Sequence, residues 1–242
     1  MKYMGSKSRI AKHIVPILQK SLDDTGLNYF EPFCGGCNII DKIVAPRKFA
    51  SDNNKYLIAL WDHLINNPND IYPEEITHEY YSDIRSNKDN YDDWLVGYIG
   101  FLASYNGRFF DGGYAKTIIS KAGVERNYYD EAKRNILAQV KDLQGVVFAC
   151  KQYWETHPHN MVVYCDPPYK DTKQYSTSKN FDHDKFWQTM REWSKDNIVY
   201  ISEEQAPDDF EVIWEQEVTR TQDNRKREKA TEKLFMWKDG YR

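Results

Sequence analysis

Short apolar runs recur along the chain at residues 27–33, 48–52, 146–149, 161–166 and 198–202. They are β-branched or aromatic in character and too short for free-standing helices, so they predict buried strands. A stretch with helical spacing, 183–194, separates the last two runs. Strands alternating with helices predict a parallel sheet with right-handed crossovers. The end of the chain differs: 210–218 and 233–237 read as two strands joined by a polar connection, an antiparallel pair at one sheet edge. The alternation also breaks between residues 68 and 144, where helical pieces at 91–104 and 128–143 flank a Gly-rich segment. Asp111-Gly112 in that segment is expected to make a hairpin turn. The whole stretch is expected to be an inserted subdomain, and further crossovers are the plainer reading.

Several apolar runs stop at residues that carry chemistry. Phe30-Glu31-Pro32-Phe33 leads into Cys34-Gly35-Gly36-Cys37, a glycine turn after a strand. Such a turn suits a cofactor at the carboxyl end of a sheet, because a Cβ would hold the ligand off the backbone. An ordinary tight turn fits the same residues. The next run ends in Asp52, a carboxylate placed to accept hydrogen bonds from ribose hydroxyls. The 161–166 run stops at Asp166-Pro167-Pro168-Tyr169. Two prolines cannot continue a strand, so the chain turns out at the sheet rim. There the Asp166 carboxylate and the Pro167 carbonyl are two acceptors for an exocyclic amine. Tyr169 offers an aromatic face for an extruded base. A strand-terminating turn with a buried tyrosine is the alternative.

The chain has 242 residues, 40% of them hydrophobic and 29% charged. It is long enough to bury a core without staples. No apolar run reaches the ~20 residues of a membrane helix. The start, Met1-Lys2-Tyr3-Met4-Gly5-Ser6-Lys7, lacks a signal-peptide core, so a cytoplasmic location is expected. Cys34 and Cys37 have C-x-x-C spacing, but Cys150 and Cys165 do not form a second close pair, so reduced thiols are expected rather than a zinc or redox centre. The net charge of −4 argues against a surface coated by nucleic acid, though not against a local basic cleft. Arg220, Arg225, Lys226, Arg227 and Lys229 cluster late in the chain. On composition alone a solvated charged loop accounts for them better than a phosphate-binding one.

Taken together these segments resemble the Dam-type N6-adenine DNA methyltransferases, whose motifs run in the order cofactor, target-recognition insertion, catalysis. Lys2 to Lys7 is similar to the family's K-[WY]-x-G-[GS]-K start. Phe30 to Asn38 is similar to its F-x-E-P-F-x-G-G-type loop, one residue shorter after Phe30. Ser51-Asp52-Asn53-Asn54 is similar to A-D-x-N, and Asp166 to Tyr169 to D-P-P-Y. Arg227 to Leu234 is similar to its late basic stretch with a following glutamate. Cys37 stands where many relatives have glycine or another small residue, and the chain is shorter than typical members.

The resemblance implies an α/β, doubly wound, mostly parallel seven-stranded sheet of the class I, Rossmann-like methyltransferase kind. Its last strand would be antiparallel. Residues 1–67 and 145–242 would form the catalytic domain, and 68–144 a mainly helical target-recognition subdomain. It implies S-adenosylmethionine, without a metal, as the cofactor. Tyr3, Lys7, Phe33, Gly35, Asp52 and Asp166 would bind it. Asp166, Pro167 and Tyr169 would hold a flipped-out adenine. Arg108 and Lys116, flanking the expected hairpin, and Arg225, Arg227 and Lys229 would contact double-stranded DNA. Residues 170–180, polar and without apolar periodicity, are expected to form a loop that orders on substrate, and a plain exposed loop fits them equally. A monomer or weak dimer in a bacterial or phage-infected cell is expected, with or without a companion restriction nuclease. The alternatives are an inactive DNA-binding decoy on the same fold, or a methyltransferase for RNA or cytosine N4.

Overall fold

The expected apolar runs are all strands. In a computed structural model, the described residues form β1 (Asn28–Glu31), β2 (Lys48–Asp52), β3 (Thr117–Ile119), β4 (Glu125–Asn127), β5 (Val146–Cys150), β6 (Met161–Cys165), β7 (Ile198–Glu203), β8 (Phe210–Asp223) and β9 (Lys226–Trp237), together with six α-helices. The helices are α1 (Ala11–Thr25), α2 (Lys55–Asn66), α3 (His78–Ser86), α4 (Asp93–Leu102), α5 (Tyr128–Val140) and α6 (His183–Trp193). The structure describes all residues except 120–122, 170–180, 224–225 and 242, and the side chains of 219–228 are also outside the description. Among the described residues, no helix is long and apolar enough to cross a membrane.

Seven strands form one sheet in the order β5-β2-β1-β6-β7-β9-β8. β1, β2, β6 and β7 run parallel, and β9 is antiparallel to both β7 and β8. The last strand is therefore the antiparallel one, and it lies inside β8 rather than at the rim. Both members of this pair run further than the apolar pattern suggests. β8 continues to Asp223 and β9 begins at Lys226, so the polar connection is itself mostly strand. It reads as loop because period-two hydrophobic alternation, the signal for a half-buried strand, is missing there.

The chain divides into two compact units. The first holds residues 1–12, 34–42 and 54–150. Its central helix is α4, in which every residue from Val96 to Leu102 is buried. A helix apolar on all sides belongs inside a core. Gly97 lets α4 approach α2: a Cβ there would lie 2.1 Å from the Tyr56 carbonyl oxygen. Gly100 likewise makes room for the Phe109 ring. The expected hairpin at Asp111-Gly112 is not a pair of strands. Residues 104–114 form an irregular loop closed by a single Ser104–Tyr114 bridge, and the Gly112 N–H donates back to the Arg108 carbonyl. The two-stranded hairpin lies just beyond, as β3 and β4. Nearly all its described residues are exposed, so no buried face marks it in the sequence.

The second unit holds residues 13–33, 43–53 and 151–242. Its core joins Phe30, Val163, Cys165, Val199 and Ile201 of the sheet to Phe186, Met190 and Trp193 of α6. Asp182 caps α6 by accepting from the Lys185 N–H. Asn197 fixes the entry to β6: its side chain donates to the Trp193 and Pro158 carbonyls and accepts from the Met161 N–H. α1 also packs here. Ile14, Leu18 and Leu22 recur at helical spacing and are buried. Pro16 lies inside the helix, where it removes the N–H that would donate to the Lys12 carbonyl, and the buried face carries the helix past it.

Candidate functional site

In the first unit the glycine turn packs beneath the amino-terminal segment. Gly35 has φ +45° and Cys37 φ +54°, both in the left-handed region. Glycine enters that region freely, whereas Cys37 is held there at a cost of about 1 kcal/mol or more. This is the position where the resemblance leads one to expect a glycine. The Tyr3 ring lies directly against the turn: a Cβ on Gly35 would stand 2.8 Å from Tyr3 Cε1, and one on Gly36 2.7 Å from Tyr3 Cβ. Tyr3 and Gly35 are thus brought together, and Tyr3 also packs on Phe101 at 5.8 Å between ring centroids. Ser6 caps a short 3-10 turn, Lys7–Arg9, by accepting from the Ser8 N–H, and Lys7 is buried.

Three consecutive carbonyls of this turn are engaged by side chains. Trp61 Nε1 donates to the Gly35 oxygen at 3.1 Å. Gln139 Nε2 donates to the Gly36 and Cys37 oxygens, each at 3.0 Å, and to Asp41 Oδ2. The Gln139 carbonyl accepts from the Met1 α-amino group, whose pKa burial lowers to about 6. Cys34 and Cys37 are buried, and neither is in a disulfide.

In the second unit, the parallel register sends the ends of β1, β2, β6 and β7 to one edge. Glu31 pairs with Ala50, Phe30 with Val163, and Cys165 with Ile201. Asp52, at the end of β2, and Asp166, just past β6, therefore leave the sheet on the same side. Antiparallel β9 brings Glu232 to this edge too, since its neighbour Lys233 pairs with Glu203 at the end of β7. Tyr169 donates its hydroxyl to Glu232 Oε2 at 2.7 Å. Tyr169 is 7% exposed and Glu232 also 7%. Burial raises the Tyr169 pKa well above 10, and the Asp166 and Glu232 charges add to this, so the phenol keeps its proton and its donor role. Pro167 is buried and Asp166 half-buried.

Phe33, directly after β1, belongs to an aromatic cluster. Its ring lies 5.3 Å from Tyr153, 6.1 Å from Phe181 and 5.9 Å from Phe186. Tyr153 is fixed by the turn after β5: the Lys151 N–H donates to the Asp52 carbonyl, and Gln152 and Glu155 form a capping box. The Tyr153 hydroxyl is buried without a hydrogen-bond partner among the described residues, and burial pushes its pKa to about 12.

The expected DNA-contact residues are scattered. Arg108 lies exposed in the 104–114 loop, not at the base of a hairpin, and Lys116 is exposed immediately before β3. Lys229, on β9, is exposed and paired with Glu217 at 2.8 Å. Arg227 lies on β9 with its side chain outside the description. Arg225 and the 170–180 loop lie outside the described residues.

Tyr153, Phe181, Trp61, Gln139 and Glu232 were not singled out from the sequence. Tyr153 and Phe181 occupy irregular segments with no periodicity to expose them. Gln139 reads as a polar position on an amphipathic helix. Only Glu232 carried a signal, as the glutamate after the late basic stretch.

No curated protein matches the chain. Among solved structures it is similar to the "putative RNA methyltransferase PH1948 from Pyrococcus horikoshii", with 9% identity and a TM-score of 0.45 over 96% of this chain and 84% of that one. A family model, that of the D12 class N6 adenine-specific DNA methyltransferases, matches residues 3–205. That span takes in the amino-terminal segment, the glycine turn, Asp52 and Asp166 to Tyr169, and the chain belongs to the D12 class of N6 adenine-specific DNA methyltransferases.

Proposed function

We propose that this chain methylates N6 of an adenine turned out of double-stranded DNA, with S-adenosylmethionine as donor. The observation that carries the reading is Asp166-Pro167-Pro168-Tyr169 leaving the sheet on the edge where Asp52 ends β2, with β1 between the two strands. The residue chemistry fits the cofactor. Asp52 supplies a carboxylate for ribose hydroxyls, Lys7 a buried ammonium for a carboxylate, and Phe33 an aromatic face for an adenine ring. Tyr3 and Gly35 supply a close-packed glycine backbone, which a Cβ would disrupt.

When bound, S-adenosylmethionine supplies an already activated methyl group, so the protein's task is mainly positioning. Asp166 and the Pro167 carbonyl accept the two amine hydrogens and favour a pyramidal nitrogen with an available lone pair. Tyr169 stacks on the base and offsets part of the unstacking cost of a few kcal/mol. Asp166 or solvent takes the proton that the methylated amine sheds. Arg108 and Lys116, both exposed, would flank a segment that enters a groove. The exposed Lys229 would contact phosphate, adding affinity but no sequence information. Arg225 and Arg227 are assigned the same role on sequence grounds. Residues 68–144 would form the target-recognition part.

Incubation of unmethylated genomic duplex DNA with the protein and methyl-labelled S-adenosylmethionine tests the reading. The wild type should load label into DNA. Asp166→Ala should lose at least about 100-fold in rate while keeping part of its cofactor binding. Equal label incorporation by Asp166→Ala would remove the proposed chemistry.

A further inference from the structure

We infer that Gln139 and Trp61 are positioning residues for the cofactor, acting through the glycine turn and touching no reactant themselves. The inference rests on the reading of that turn as the cofactor loop. Its ground is the way side-chain donors reach three successive peptide oxygens, those of Gly35, Gly36 and Cys37. The donors come from two helices, Trp61 from α2 and Gln139 from α5, and both side chains are buried. A glycine turn in the left-handed region has little conformational preference of its own. Gly35 at φ +45° and Cys37 at φ +54° hold their conformation because their surroundings over-determine it.

Each clamp bond turns a carbonyl oxygen into the protein. This fixes the peptide planes on which the Tyr3 ring rests and sets the backbone surface offered to a ligand. Gln139 adds a second constraint. Its amide nitrogen also donates to Asp41, and its carbonyl holds the Met1 amine, so the turn and the strip carrying Tyr3 share one anchor. Without the clamp, the loop would have to be ordered at the moment of binding, and that cost appears as lost affinity. The loss falls on cofactor binding rather than on the chemical step, because neither residue touches the reacting amine.

The test is titration calorimetry with S-adenosylmethionine on the full chain, alongside steady-state kinetics on DNA. Gln139→Leu removes the donor. Gln139→Glu keeps the shape and replaces the donating nitrogen with an acceptor. Trp61→Phe deletes the bond to Gly35 and leaves a smaller buried ring in its place. Ile136→Ala, buried on the same helix, is the control for general destabilisation.

The expected result is a cofactor Kd and KM raised about 10-fold in both Gln139 variants, and about 3-fold in Trp61→Phe. The kcat at saturating cofactor should stay within about 3-fold of wild type, the DNA KM should not change, and Ile136→Ala should bind as wild type. If Gln139→Leu fails to fold, Gln139→Glu and Trp61→Phe decide. Unchanged cofactor affinity in the folded variants, or an equal loss in Ile136→Ala, would overturn the inference. Absence of cofactor binding by the wild type would instead overturn the reading of the loop.

Discussion

Tyr169 and Glu232 lie 63 positions apart in sequence and meet through one hydrogen bond, 2.7 Å from the phenolic oxygen to the carboxylate. The bond ties the turn after β6 to antiparallel β9. It gives the last strand a part in orienting the tyrosine proposed to stack on the target base. Glu232→Ala removes the carboxylate acceptor of a buried phenol, which should cost about 1–3 kcal/mol of stability. Tyr169→Phe should cost about 1 kcal/mol, since the carboxylate loses a donor. In the double variant the two costs should sum to less than their separate values, with a coupling of about 0.5–3 kcal/mol. Urea denaturation of the four proteins measures this, and strict additivity would show that the bond is not formed.

The Gly35 backbone under Tyr3 leaves no room for a methyl group. Gly35→Ala places a Cβ 2.8 Å from Tyr3 Cε1 at a φ that L residues avoid. We expect cofactor Kd to rise at least about 10-fold, roughly 1.4 kcal/mol. Trimming the ring with Tyr3→Ala should relieve the clash without restoring affinity, because the ring itself is part of the proposed site. Calorimetry distinguishes the outcomes.

Helix packing in the first unit gives a prediction independent of catalysis. A Cβ on Gly97 would meet the Tyr56 carbonyl oxygen at 2.1 Å, and backbone cannot rotate away as a side chain can. Gly97→Ala should cost about 1–3 kcal/mol, although alanine is the better helix former by about 1 kcal/mol. A lower urea midpoint with unchanged slope is the expected signature. A more stable variant would contradict the close crossing of α2 and α4.

The paired Arg191 and Asp209 set an acid-range prediction. Hydrogen bonds from Arg191 hold the Asp209 carboxyl at about 2, below its ordinary 3.8. The folded pKa is depressed, so the pair's stabilisation is complete above about pH 4–5. It is lost as pH falls through the interval from 3.8 to about 2. The pair is partly exposed, with side-chain exposures of 27% and 38%, so about 0.5–1 kcal/mol is expected. The stability gap between wild type and Arg191→Ala should be flat from pH 7 to 5 and narrow below pH 4. A gap that widens with acid would reverse the assigned sign.

The elements most legible in the sequence are those whose burial is written in composition. β1, β2, β5, β6 and β7 are short runs built around apolar and aromatic residues, and Asp166-Pro167-Pro168-Tyr169 marks its strand end by chemistry that few turns require. Other elements carry no such mark. The β3–β4 hairpin exposes nearly all its described residues, so the turn was expected at Asp111-Gly112, where glycine is conspicuous. The outer parts of β8 and β9 lack hydrophobic alternation and read as a connection. α1 was not singled out, because Pro16 interrupts a stretch whose buried face is spelled by Ile14, Leu18 and Leu22. Gln139, Trp61 and Tyr153 owe their positions to tertiary packing, and no local pattern distinguishes a buried glutamine that clamps a loop from one that faces water.

The most direct measurement is mass analysis of nucleosides from duplex DNA incubated with the protein and deuteromethyl S-adenosylmethionine. The account predicts deuterated N6-methyladenine. Label on cytosine, label in RNA but not in DNA, or cofactor binding without any labelled nucleoside would contradict it.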